Sequence, residues 1–211
     1  MNQKVSKNIT TIIFDLGGVL FDIDYSLTQQ AFIALGAKDF QQQYSQQMQH
    51  GVFDEFEKGL VSPAYFREVV LKWLPANITA QQVDNAWNAL LIGFPKEKVQ
   101  LVKRLRNKYK VLLLSNTNDI HLPAVMQMMD EAHGEGAMKQ MFHKEYYSCK
   151  MGMRKPDLVI FEHVLKENSL NPSSTLFVDD LIQNVNAAGS IGIQTLHCTP
   201  QVNLFEYFEG K

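Results

Sequence analysis

Cysteine is scarce in this chain: Cys149 and Cys198 are the only two among 211 residues. Their positions make neither a metal-binding pattern nor a disulfide framework. Both read as reduced thiols, and a cytoplasmic location is expected. A dominant charge is also missing. Twenty lysines and arginines against 22 acidic residues leave a net charge of −2, too weak a field to draw nucleic acid or an anionic membrane. No apolar run is long enough to span a bilayer, and Met1 to Asn8 lacks the apolar stretch of a secretory signal. The sequence has no glycine-rich dinucleotide fingerprint, no P-loop, no His-Glu-x-x-His and no internal repeat. What is left is a chain with 45% hydrophobic residues, enough for a sizeable core in one large domain or one domain with an insert.

Short runs rich in branched residues recur at Ile12 to Phe14, Val111 to Leu114, Leu176 to Val178 and Ile191 to Leu196. Helical spacing separates them, as in Val99, Leu101, Val102 and Leu105, and again in Leu158, Phe161 and Leu165, with Pro156 suited to a first helical turn. Strands alternating with helices predict an α/β fold: a Rossmann-like parallel sheet between two helical layers. The stretch from Asp22 to Phe94 breaks this rhythm. It carries no convincing strand and reads as four or five helices, with apolar bulk from Phe32, Phe40, Phe53, Phe56, Tyr65, Phe66, Trp73 and Trp87. Gly59 fits a helix stop, and Ser62-Pro63 fits an N-cap followed by proline at the first helical position. The glutamine-rich stretch Gln41 to Gln47 reads as a solvated helix face. The expected organisation is an α/β core made of residues 1–21 and 95–211, with a helical cap inserted at 22–94.

Ligands of an open parallel sheet bind at the carboxyl ends of its strands. Four polar features fall there. Asp15 ends the first strand and opens onto Leu16-Gly17-Gly18-Val19. A carboxylate held there suits a nucleophile or a metal ligand, although turn residues of this kind are common. Asp179-Asp180 follows the third run. Two adjacent carboxylates repel unless a cation or base is near; otherwise one is a helix cap and the other an exposed acid. Facing Asp15, the pair makes an oxygen-only site of the kind magnesium takes, with waters, a backbone carbonyl and a phosphate oxygen completing the shell. Ser115 either caps the next helix or, with the amides of Asn116 and Thr117, holds a phosphate at a helix start. Lys155, between Arg154 and Pro156, is either solvated or offsets the charge of a phosphate and the carboxylates. Asn184, one turn after Asp180, is either a plain helix residue or orients that carboxylate.

In this order the four motifs, Asp15-Leu16-Gly17-Gly18-Val19, Ser115-Asn116, Lys155 and Asp179-Asp180, resemble the haloacid dehalogenase-like superfamily. The resemblance covers essentially the whole chain, because the inserted helices look like that superfamily's helical cap. Gly152-Met153-Arg154-Lys155-Pro156-Asp157 and Phe56-Glu57-Lys58-Gly59 are similar to the branch holding epoxide-hydrolase N-terminal phosphatase domains and bacterial glucose-1-phosphate phosphatases. The resemblance implies that Asp15 attacks phosphorus and forms an aspartyl-phosphate. It implies Mg2+ held by Asp15, the Gly17 carbonyl and Asp180, with Asp179 supporting, and a phosphoryl group held by Ser115 and Lys155. A closing cap would choose the leaving group through residues such as His50, Asp54, Glu57 and Lys58, with Arg154 beside them. The ligand is then a small phosphorylated metabolite, of which a sugar phosphate is the first choice.

One position departs from that pattern. Most phosphatases of the superfamily carry a second aspartate two residues after the nucleophile, as a general acid and base. Here it is Gly17. The loss spares a backbone carbonyl ligand but removes a proton carrier, a contribution typically worth roughly 10²–10⁴-fold. Three readings follow. The first is a phosphatase for substrates with good leaving groups, such as sugar 1-phosphates or acyl phosphates. A glycine here also occurs in the glucose-1-phosphate branch. The second is a metal-independent dehalogenase, which Asp179-Asp180 counts against. The third is a non-catalytic domain that binds a phosphorylated ligand or a partner protein, against which the retained Asp15, Lys155 and acidic pair count.

Overall fold

The computed structural model describes residues 5–37 and 51–210. Its centre is β1 (Thr11–Phe14), four residues buried on both faces. That is the environment expected of a central parallel strand, and it explains why the run is apolar without alternation. Parallel partners flank it: β4 (Lys110–Ser115) on one side and β6 (Thr175–Asp179) on the other. With β5 (Lys144–Tyr147) and β7 (Gln194–His197) the sheet has five strands in the order β5-β4-β1-β6-β7. Register aligns Ile13 with Leu112 and with Phe177. These side chains share one apolar cluster, whereas Ile12, Phe14, Val111, Leu113, Leu176 and Val178 belong to the cluster on the opposite face. The two-residue period of a strand thus splits each run between two cores.

Helices cover both faces. Val102 of α5 (Lys96–Arg106), Met129 of α6 (His121–His133), Met141 of α7 (Ala137–Met141) and Leu204 of α11 (Leu204–Glu209) pack on one side. Phe161 of α9 (Leu158–Glu167) and Ala188 of α10 (Ile182–Ser190) pack on the other. Between β5 and α9 lies the single turn α8 (Ser148–Met151). The expected α9 is present, but its buried face is Ile160, Phe161, Val164 and Leu165, while Leu158 is exposed. Pro156 is not in its first turn: it precedes the N-cap residue Asp157.

Between β1 and β4, the described residues form α1 (Tyr25–Ala34), α2 (Val52–Glu57), α3 (Pro63–Leu71) and α4 (Ala80–Asn88). Ser62 accepts from the Tyr65 amide with Pro63 at the helix start, and Thr79 makes a capping box with Gln82. Phe32, Phe53, Phe56, Phe66 and Trp87 fill a separate apolar cluster, in which Phe56 stacks on Phe66 at 4.3 Å. Burying one such phenylalanine contributes roughly 1.5–3 kcal/mol. Phe40, the glutamine-rich stretch and His50 lie outside the described residues.

Strands do occur at the two ends of this stretch, contrary to the reading that it has none. β2 (Asp22–Ile23) pairs antiparallel with β3 (Leu91–Gly93). They are too short and too solvated to leave an apolar run, and their pairing is long-range. β5 was also not expected: it reads Lys-Glu-Tyr-Tyr and lies at the sheet edge, paired on one side alone.

Candidate active site

The carboxyl ends of β1, β4 and β6 converge. Asp15 follows β1 and its amide donates to the Val178 carbonyl of β6 at 2.8 Å. Next comes a turn in which the Phe21 amide donates to the Leu16 carbonyl and the Gly18 amide to the Phe21 carbonyl. Neither bond uses the Gly17 carbonyl. Gly18 has φ +75°, and a Cβ there would stand 2.5 Å from Asp180 Oδ2. Only glycine allows Asp180 to pack over this turn.

Lys155 is the hub. Its Nζ is 2.7 Å from Asp15 Oδ1 and 2.7 Å from Asp179 Oδ2, and its side chain is 1% exposed. The ammonium also lies 5.4 Å from the Phe177 ring centre, within cation–π range. Burial pushes the Asp15 carboxyl up to about 7; Lys155 opposes the shift, while Asp179 and Asp180 add to it. Burial also raises Asp180, to about 6, with the Asp179 charge adding and Lys155 opposing. For Lys155 burial works against the charge, yet Asp15 and Asp179 hold its pKa above the ordinary lysine value.

Asn116 has a structural role through its side chain, apart from what was expected of its backbone amide. Its side chain accepts from the Lys155 amide at 2.9 Å and donates to the Lys155 carbonyl at 2.8 Å, so it clamps the lysine loop and does not point at a ligand. The Thr117 amide is not available to a phosphate either, since it donates to Ser148 Oγ at 2.9 Å. Nor does a helix begin there. α6 starts at His121, and Asn118, not Ser115, caps it by accepting from the Ile120 and His121 amides. Ser115 ends β4, buried.

Asn184 orients Asp179 rather than Asp180. Its Nδ2 lies 3.0 and 3.1 Å from the two Asp179 oxygens, and the Leu181 amide donates to the same carboxylate. The reason is register: Asp179 is the last, buried residue of β6 and points back under α10, while Asp180 turns toward Gly18.

Asp15, Gly17, Ser115, Asn116, Lys155, Asp180 and Asn184 line one cavity, together with Glu57 and Arg154. Asp54 and Lys58 are not on its wall. Arg154 reaches Asp54 at 3.1 Å and Glu57 at 2.9 Å, and Lys58 reaches Asp54 at 3.0 Å and Asp157 at 3.5 Å. These charges tie α2 to the loop carrying Lys155. Gly59 completes the contact: with φ +67°, its Cβ would fall 2.0 Å from the Cys149 carbonyl oxygen. Both cysteines are free and buried, and burial pushes Cys149 up to about 12 and Cys198 to about 11.

His121 also lines the cavity, and sequence reasoning passed over it. Its ring stacks on Trp87 at 5.0 Å and 8°, and Nδ1 lies 2.8 Å from Asn88 Oδ1. Burial pushes its pKa down to about 3, so the ring is neutral. The available signal was its place at the first helical turn after Ser115-Asn116.

One carboxylate oxygen each from Asp15, Asp179 and Asp180 lies within 4.8 Å of the others. Asn184 Oδ1 beside them is buried without a partner. An all-oxygen donor set with a spare acceptor fits a hard cation that keeps part of its water.

A buried carboxylate paired with a lysine, beside an acidic pair at the carboxyl ends of parallel strands, defines a class. The chain belongs to the haloacid dehalogenase-like hydrolase family, which matches residues 9–192. Among individual proteins it is 35% identical to a D-ribitol-5-phosphate phosphatase of Bacteroides thetaiotaomicron, over 89% of this chain and 90% of that one. It is 31% identical to a sesquiterpene phosphatase of Aspergillus oryzae, over 89% and 88%. A family enzyme from Bacteroides thetaiotaomicron, crystallised with magnesium and inorganic phosphate, superimposes with a TM-score of 0.86 at 33% identity. That match covers 95% of this chain and 100% of the other.

Proposed function

We propose that this protein is a magnesium-dependent phosphatase for a small phosphorylated metabolite, a sugar or sugar-alcohol phosphate. The observation that carries the reading is Lys155, a buried ammonium held between Asp15 and Asp179 on the wall of a cavity. This supports a lysine that serves the phosphoryl oxygens directly beside Asp15 as the nucleophile. The printed activity of the Bacteroides relative supports a polyol leaving group.

In this reading residues 22–94 are a cap over a core of 1–21 and 95–211. Ser115 Oγ, the Asn116 amide and Lys155 Nζ hold the phosphoryl oxygens. An oxygen of Asp15 attacks phosphorus in line, the bond from phosphorus to the leaving oxygen breaks, and an aspartyl-phosphate forms. The departing oxygen takes its proton from water, because Gly17 offers none. Water then attacks the same phosphorus, the bond to Asp15 breaks, and orthophosphate leaves with the carboxylate restored. Magnesium, held by Asp15, Asp180 and the Gly17 carbonyl, would supply positive charge against the phosphate and the carboxylates. Asp179 keeps Lys155 in place, and Asn184 keeps Asp179. Glu57 and Arg154 face the leaving group; Asp54 and Lys58 hold the cap edge. Two reduced, buried thiols support a cytoplasmic location.

A panel of sugar, sugar-alcohol, acyl and nucleotide phosphates with magnesium tests this. Phosphate release from at least one sugar or sugar-alcohol phosphate is expected. No release from any member would overturn the reading, and halide release from a haloacid without metal would replace it.

A further inference from the structure

We infer that His121 selects the leaving group, by accepting a hydrogen bond at Nε2 from a substrate hydroxyl. This rests on the phosphatase reading and adds a residue and a chemical requirement to it.

Three contacts fix the ring. Trp87 of α4 stacks on it nearly parallel, Asn88 of the same helix binds Nδ1, and the backbone amide of His121 is held by Asn118 Oδ1 at 2.9 Å. With the Asn88 amide assigned so that its carbonyl oxygen faces the ring, it can only accept, and Nδ1 carries the ring proton. Nε2 is therefore a lone-pair acceptor. Among the described residues it makes no hydrogen bond, and it is not among the sealed, unpartnered polar atoms. His121 lines the cavity that Asp15 and Lys155 share, and Nε2 is its unsealed acceptor. Burial reinforces the assignment, because a ring that resists protonation stays an acceptor across neutral pH.

An acceptor with a fixed tautomer discriminates in one direction. A hydroxyl satisfies it, whereas a methylene at the same place strips its water and gives nothing back. The same cavity wall carries the apolar Leu90, Leu91 and Val125. The chemistry fits a hydroxylated carbon chain whose carbon side rests on these residues and whose hydroxyl meets Nε2. Asn88 is a positioning residue, acting through the tautomer it enforces.

The test compares a pentitol phosphate with an alkyl phosphate of equal length, using p-nitrophenyl phosphate to establish turnover. His121→Phe keeps a flat ring on Trp87 and removes the acceptor. The preference for the pentitol phosphate over the alkyl phosphate, as a ratio of kcat/KM, is expected to fall roughly tenfold. Asn88→Leu, which frees the tautomer, should lower the same ratio by less. An unchanged ratio, or equal loss on both substrates, overturns the inference. Should His121→Phe fail to fold, the 15N shift of His121 Nε2 in the Asp15→Asn protein decides. It should move when the pentitol phosphate is added and stay when the alkyl phosphate is added; equal responses overturn the inference. Turnover of p-nitrophenyl phosphate with no pentitol preference in the parent protein refutes the hydroxyl acceptor but not the phosphatase. No turnover of any phosphate refutes both.

Discussion

The floor and the roof of the cavity are built on opposite principles. The floor, at the ends of β1 and β6, concentrates buried charge: Lys155 sits 2.7 Å from each of two carboxylates, with Asp180 beside them. The roof by α4 is neutral, an aromatic cluster ending in Trp87, His121 and Asn88. Buried charges are costly to hold but respond strongly to a charged ligand. A neutral stack holds its shape and responds to polarity and fit. The difference fits the proposed division, with phosphoryl chemistry at the floor and, beside Glu57 and Arg154, a share in choosing the leaving group at the roof.

The division can be broken most sharply at Lys155. Lys155→Met leaves Asp15 and Asp179 buried without their partner. A stability loss of about 3–5 kcal/mol is expected in urea titrations without metal, with part recovered on adding magnesium. A loss below about 1 kcal/mol would mean that the floor does not depend on its charges. A smaller but more specific effect is expected at Gly17. Its backbone accepts a side chain, but a Cβ would stand 3.0 Å from the flexible Ile23 Cδ1, which must move slightly. Gly17→Asp should raise turnover of poor leaving groups by roughly 10²-fold and that of good ones little. A uniform change, seen as an unaltered slope of rate against leaving-group pKa, would place the missing acid elsewhere.

The roof gives the smallest effect, and it is a pH effect. His121 titrates near 3 in the folded protein against an ordinary value of 6.5. Between those values the unfolded chain binds a proton that the folded chain does not, so this group's contribution to stability falls as pH falls. From pH 6.5 to 5 that amounts to about 2 kcal/mol. Asp15 and Asp180 shift the other way, since their raised values let the folded chain bind protons first. The difference between the parent and His121→Phe isolates the histidine. A difference flat with pH would mean that His121 is not held neutral.

The same contrast explains what the sequence could reveal. Strands buried on both faces announce themselves as apolar runs, so β1, β4 and β6 and the acidic or polar residues at their ends were legible. Of the other strands, the edge strand β7 still shows in the run Ile191 to Leu196, but β5 reads Lys-Glu-Tyr-Tyr, and β2 and β3 have only two and three residues. Roles within the site were harder to read than membership. Asn116, Asn184 and Arg154 were each singled out. Asn184 binds Asp179 and not Asp180, and the further side-chain partners of Asn116 and Arg154 were not legible, because partners distant in sequence decide where an amide or guanidinium points. His121 was passed over for the same reason. A lone histidine has no spacing, and its partners Trp87 and Asn88 lie in the inserted helices.

In the proposed reaction Asp15 itself becomes phosphorylated. Rapid quenching of the enzyme during turnover of a sugar or sugar-alcohol phosphate, followed by borohydride reduction and peptide mass spectrometry, tests it directly. An aspartyl-phosphate at position 15 should be recovered as homoserine at that position. Phosphate release with Asp15 unmodified, or homoserine at another aspartate, would contradict the account.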